Sequence, residues 1–129
     1  MGEGLRVGVV GGSISGCTAA VELTRAGHEV TVFERSVGAL EGRGAGIGTP
    51  TPTFERLIGR DLISASTPRT TLTKHVLLGT DAHNSALGRA PLQLPMEMAT
   101  LHWRDLWREL RARVADSSYR EGAAVTGIV

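Results

Sequence analysis

Apolar positions set the first rhythm of the chain. Leu5 to Val10, LRVGVV, is a short apolar run closed by Gly11 and Gly12, and it predicts a buried strand. Ile14, Cys17, Val21 and Leu23 then fall roughly on one side of a helical wheel. They predict a helix over 14–26 that stops before Gly27, a residue suited to a helix C-terminus. From His28 to Glu34, HEVTVFE, polar residues alternate around Val30, Val32 and Phe33, which predicts a second strand. Strand, turn, helix, turn and strand within about 30 residues make a βαβ unit.

Beyond that unit the pattern loosens. Ser36 to Gly48 has no period and reads as loop. Pro50 and Pro52 suit the first turn of a short helix that carries Phe54, Leu57 and Ile58 and stops at Gly59. Thr70 to Leu78 and Leu87 to Leu94 are strand-like and flank the polar stretch GTDAHNSA, Gly79 to Ala86, so they predict a long hairpin. Trp103, Leu106, Trp107, Leu110 and Val114 recur at helical spacing, and Ala123 to Val129 begins a further strand. The fold class is α/β, with a Rossmann-like βαβ start. A parallel sheet with so few strands leaves a face to be covered, so the chain reads as the front part of something larger.

Composition narrows the partners. The 129 residues carry 14 Lys and Arg against 13 Asp and Glu, a balance that gives no reason to expect a nucleic-acid or membrane partner. Cys17 has no second cysteine to pair with, which suggests a reducing compartment. No apolar span approaches bilayer length, and the N-terminus shows no secretory pattern; a soluble cytoplasmic protein is the expectation. His28, His75, His83 and His102 lack metal-ligand spacing, so no metal is expected. The basic residues from Arg104 to Arg113 alternate with Asp105 and Glu109, as on a solvated helix face. GGSISG does not fit the G-x-S-x-G turn of a nucleophilic serine. Cys17 on the first helix reads as core packing, and Trp103 with Trp107 as one apolar helix face.

The 17 glycines are concentrated in two segments, GEGLRVGVVGGSISG and VGALEGRGAGIG. The first resembles the dinucleotide fingerprint G-x-G-x-x-G. In that turn one glycine allows the sharp bend from strand into helix, a second lets backbone approach a pyrophosphate, and a third lets the helix pack close to the strand. Gly11 and Gly16 hold the first and third places, and Ser13 stands in the second. Serine is small, and its hydroxyl can donate to a phosphate oxygen. The helix from Ile14 aims its free N–H groups and positive end at the same anion. Glu34 lies 23 positions after Gly11, near the spacing of about 20 at which an acid accepts hydrogen bonds from an adenosine ribose. A carboxylate there disfavours a 2′-phosphate. FAD and NAD both remain open on these residues alone.

VVGGSISG, VTVFERS and LEGRGAGIG together resemble the N-terminal part of the class A flavin-dependent aromatic hydroxylases, of the para-hydroxybenzoate hydroxylase fold. The serine variant of the turn and the GRGAGI loop are most similar to the branch of 2,6-dihydroxypyridine 3-hydroxylase-like enzymes, and LHWRDLWRELR resembles a later family helix. The resemblance implies an incomplete Rossmann-like FAD/NAD(P)-binding domain with a β-hairpin from the substrate domain. It divides the chain into an FAD-binding βαβ and glycine-rich loop (1–68), a partial substrate-domain hairpin (69–98), and a return helix and strand (99–129). It implies that Gly11, Gly12, Ser13, Ile14 and Gly16 lie against the FAD pyrophosphate. Glu34 holds the adenosine ribose, with Arg35 beside the adenine. Arg43, Gly44, Ala45, Gly46 and Ile47 border the flavin side, and Val125 offers backbone near the adenine. Many relatives carry an arginine where Trp103 stands, and the neighbouring Arg104 is the candidate replacement.

The implied activity is FAD-dependent hydroxylation of an electron-rich aromatic or N-heteroaromatic ring, with NADH or NADPH as the transient reductant. The family's Asp-Gly and later Gly-Asp motifs are absent from these 129 residues. GTDAHNSA comes too early to be the latter, and its Asp81, His83 and Asn84 suit a hairpin turn. The chain is therefore expected to be inactive alone and to expose apolar surface around the hairpin and Trp103. A complementing polypeptide or a second copy would cover that surface. The alternatives are an NAD-binding oxidoreductase module, and a non-catalytic regulatory or assembly fragment.

Overall fold

The computed structural model describes residues 4–38, 40–42, 44–79 and 89–128. The βαβ unit forms in the predicted element order, but its first strand is not the buried strand expected: it lies at the edge of its sheet, Leu5 and Val10 are 64% and 69% exposed, and Val7 and Val9 are only partly buried. Strand β1 (Arg6–Val10) leads through the glycine turn into helix α1 (Ile14–Arg25), which returns the chain to strand β2 (Glu29–Phe33). β1 and β2 pair in parallel, with Val7 beside Val30 and Val9 beside Val32. Val30 and Val32 are buried against Cys17, Ala20 and Val21 of α1. Each buried valine contributes about 1.5–3 kcal/mol, and the small Cys17 and Ala20 let the helix lie close to the sheet.

A second, antiparallel sheet follows. It has the order β3 (Gly46–Pro50), β5 (Arg89–His102), β4 (Thr70–Gly79). Helix α2 (Thr51–Gly59) leaves β3 directly, and helix α3 (Trp103–Ala112) leaves β5 directly. His102 caps α3, its Nδ1 accepting the Arg104 N–H at 3.1 Å. One core joins the two sheets. Phe54, Leu62 and Ile63 around α2, Ala99 and Leu101 of β5, and Leu106 and Leu110 of α3 cluster with the α1–β2 residues.

Three further expectations need correction. Gly46 to Pro50 is strand, where the sequence read loop through Gly48. Glycine and proline hide its pattern, and it is stabilised by pairing with Met98–His102, a partner remote in the chain. β5 runs on past Leu94 to His102, because its last residues pair with β3 while Ala99 and Leu101 enter the core. It thus crosses residue 98 without a break. Finally, the closing strand is β6 (Tyr119–Arg120), not Ala123–Val129. Tyr119 pairs in parallel with Val32 and is buried, which completes the sheet order β1-β2-β6. Residues 123–128 form no strand, and Val129 lies outside the described residues, as do Asp81, His83 and Asn84 of the hairpin turn. No described helix is long and apolar enough to cross a membrane.

Candidate functional site

The glycine turn sits at the C-terminal end of β1. Gly11 has φ 97°, a left-handed conformation that favours glycine, and its N–H donates to the Phe33 carbonyl at 2.8 Å. A Cβ at Gly16 would overlap the Gly11 carbonyl oxygen, so α1 presses directly on the turn. Ser13 occupies the N-cap with extended backbone, and its hydroxyl makes no capping bond. It is exposed. The amides of Ile14 and Ser15 open the helix, where no earlier turn can accept them. The first turn holds no acidic residue, so no side chain of the helix itself offsets its positive end.

Glu34 follows β2 and is only 7% exposed. Its Oε2 accepts the Gly12 N–H and its Oε1 the Ser36 N–H, each at 2.8 Å. Burial pushes the carboxyl pKa up, but the Ser36 and Gly12 N–H bonds and the Arg35 charge outweigh it, leaving it below its ordinary value. The carboxylate therefore ties the turn to the loop after β2, a structural task that its place at a strand end did not reveal.

Beside this junction lies a cleft of about 400 Å³ lined by Val10, Gly11, Phe33, Arg35 and residues 123–125. It brings together Gly11, Arg35 and Val125 from three separate motifs. Such crevices outside the carboxyl ends of parallel strands are where α/β sheets hold ligands.

The other candidates are placed apart from it. Gly46 opens β3 and lines a separate hollow with Thr70, His102 and Asp105. Ala45 receives the Trp103 N–H at 3.0 Å, and Gly44 packs so closely on Trp103 that a Cβ would lie 2.7 Å from its ring. Arg104 is exposed and its Nε pairs with Asp105 at 3.5 Å. It does not stand where Trp103 stands. Arg43 lies outside the described residues.

Sequence reading missed the residues behind the turn. The Gly12 carbonyl accepts the Trp107 Nε1–H at 3.0 Å, the Tyr119 hydroxyl at 3.0 Å and the Cys17 thiol at 3.3 Å. Burial pushes the Tyr119 phenol up to about 12 and the Cys17 thiol to about 11, so both remain donors at neutral pH. Trp103 stacks on Trp107, with ring centroids 6.1 Å apart and planes within 5°. The pair thus links the glycine turn to Gly44 of the second glycine-rich loop. One signal was available: a buried Trp or Tyr brings a polar atom that needs a partner.

Comparison with known proteins agrees with this geometry. Residues 6–126 match the family described as FAD dependent oxidoreductase (DAO). A 2,6-dihydroxypyridine 3-monooxygenase of Paenarthrobacter nicotinovorans is 45% identical over 69 residues, 52% of this chain and 17% of that protein. The solved 2,6-dihydroxypyridine-3-hydroxylase from Arthrobacter nicotinovorans is 27% identical and superposes with a TM-score of 0.75 over 95% of this chain and 30% of its own. The 2-methyl-3-hydroxypyridine-5-carboxylic acid oxygenase is 25% identical, with a TM-score of 0.62 over 94% of this chain and 32% of its own. The chain thus spans about three tenths of the length of these solved proteins.

Proposed function

The chain belongs to the FAD dependent oxidoreductase family, and from that premise we propose that it is the FAD-binding N-terminal portion of a flavin-dependent monooxygenase acting on an electron-rich aromatic or N-heteroaromatic ring. The observation that carries this reading is the cleft shared by Gly11, Arg35 and Val125 beside the buried Glu34. The residues fit the dinucleotide. Ser13 and the first α1 amides would meet the phosphates, with no acidic residue in the helix's own first turn, and the Glu34 carboxylate would accept from the ribose. Arg35 offers a cation on the cleft wall. The names of the similar proteins, which act on hydroxypyridines, favour a hydroxylated N-heteroaromatic substrate.

Bound FAD supplies the oxygen chemistry, with NADH or NADPH as its reductant; the chain's task is to hold and orient it. Hydroxylation requires enclosure from water, and these residues form only one side of such an enclosure. The chain alone is accordingly inactive, and a complementing polypeptide or a second copy would complete the site.

The test is a titration of the 129-residue chain with FAD, followed by flavin fluorescence. Binding is expected in wild type and abolished by Ser13→Val, whose branched side chain fills the pyrophosphate's place. Equal binding by the variant overturns the site. A second arm supplies FAD, NADH or NADPH and a panel of hydroxylated pyridines and phenols; coupled product from the chain alone overturns the incomplete-site reading.

A further inference from the structure

The turn has an unusual internal bonding pattern. Both polar groups of Gly12 are taken by protein: its N–H by Glu34, and its carbonyl by Cys17 of α1, Trp107 of α3 and Tyr119 of β6. A carbonyl oxygen has two lone pairs, so three donors saturate it. We infer that Cys17, Trp107 and Tyr119 are positioning residues that hold the Gly12–Ser13 peptide with its carbonyl inward, so that the Ser13 N–H faces outward as the first phosphate donor of the turn. This rests on the dinucleotide reading above and extends it to three residues that need touch no ligand.

The argument is geometric. A trans peptide is planar, and its C=O and N–H point in opposite directions. The carbonyl end meets three donors from three elements beneath the turn. Gly12 is buried while Ser13 is exposed, so the peptide runs from core to surface. Rotating it by half a turn would leave three buried donors without their acceptor. It would also aim the negative carbonyl end at the bound phosphate.

The same contact explains the glycine pattern. A Cβ at Gly12 would overlap the Tyr119 hydroxyl. The glycine at position 12 therefore admits the tyrosine, while the phosphate meets Ser13, whose side chain is free of capping duty. The Arg111 guanidinium lies over the Tyr119 ring, 4.1 Å from its centre.

The experiment compares two probes, ADP and adenosine, by calorimetric titration of the 129-residue chain. The variants are Trp107→Phe, Tyr119→Phe and Cys17→Ala. The first two keep a ring and lose its donor. ADP affinity is expected to fall about 3- to 10-fold in each of these two, the range for one net hydrogen bond, and less in Cys17→Ala. Adenosine, which lacks the phosphates, should bind within about twofold of wild type in all three. The shift of the Ser13 amide signal on adding ADP, read by ¹H–¹⁵N spectroscopy, should shrink in step. Equal losses for ADP and adenosine, or no loss for ADP, overturn the inference. Wild type that takes up FAD but shows no Ser13 amide shift with ADP also overturns it, while leaving the FAD reading in place. Wild type that binds neither ADP nor FAD overturns the dinucleotide reading itself. If Trp107→Phe does not fold, Tyr119→Phe decides alone.

Discussion

Around Gly12 the chain buries Cys17, Val32, Trp107 and Tyr119 and satisfies the carbonyl three times over. Along the outer hairpin, Leu77, Leu78, Leu92 and Leu94 remain 44–69% exposed. Both regions are rich in apolar residues, yet among the described residues only the first buries them. The difference separates two tasks. The turn is held by its own core, whereas the hairpin leaves leucines on both faces in solvent. Trp103 belongs with the first region. It is half-buried, one face stacked on Trp107 and close to Gly44.

The largest expected contrast is in stability. Trp107→Ala should cost about 3–5 kcal/mol, as for other buried aromatic truncations, while Leu78→Ser should stay within about 0.5 kcal/mol. Urea denaturation measures both, and similar losses would erase the distinction between the regions. A smaller effect is expected on binding. Glu34→Ala should weaken FAD affinity by about 1–3 kcal/mol, and unchanged affinity in a fluorescence titration removes Glu34 from the site.

Acid should act on the turn through the same residue. The folded Glu34 carboxyl titrates below its unfolded value, which lies near 4.3. Its stabilisation is thus fully present above that pH, declines below it, and is lost as pH falls through the folded pKa. The melting temperatures of wild type and Glu34→Gln should differ at neutral pH and converge in acid; a gap that persists in acid contradicts this. The smallest effect is chemical. Cys17 is fully buried, with its thiol pushed up to about 11, so at pH 8 it should resist thiol reagents until urea unfolds the chain. Rapid labelling of the native protein would show that the corner opens.

The legible part of the fold was the part with local periodicity. Val30 and Val32 alternate, α1 and α3 show a helical stripe, and the glycine turn carries its own spacing. β3 and β6 were hidden because neither has a pattern of its own. Gly46–Pro50 becomes a strand only opposite Met98–His102, and Tyr119–Arg120 only beside Val32–Phe33. The site divides similarly. Gly11 and Glu34 could be named from motif spacing, and Arg35 from the family resemblance. Tyr119 and Trp107, 107 and 95 residues from Gly12, meet its carbonyl through tertiary packing that no short motif records.

The protein's two tryptophans are both in the stack behind the turn, and this makes the chain its own optical instrument. Near-parallel indoles at that separation couple electronically, so their signature in near-ultraviolet dichroism reports that α3 is formed with its rings stacked. Their emission reports on the carbonyl of Gly12 and its surroundings, with no contribution from tryptophan in the hairpin. A flavin docked in the neighbouring cleft would accept excitation from the pair. Seating of the helix and arrival of the cofactor can thus be followed separately, in unlabelled protein, from one pair of rings.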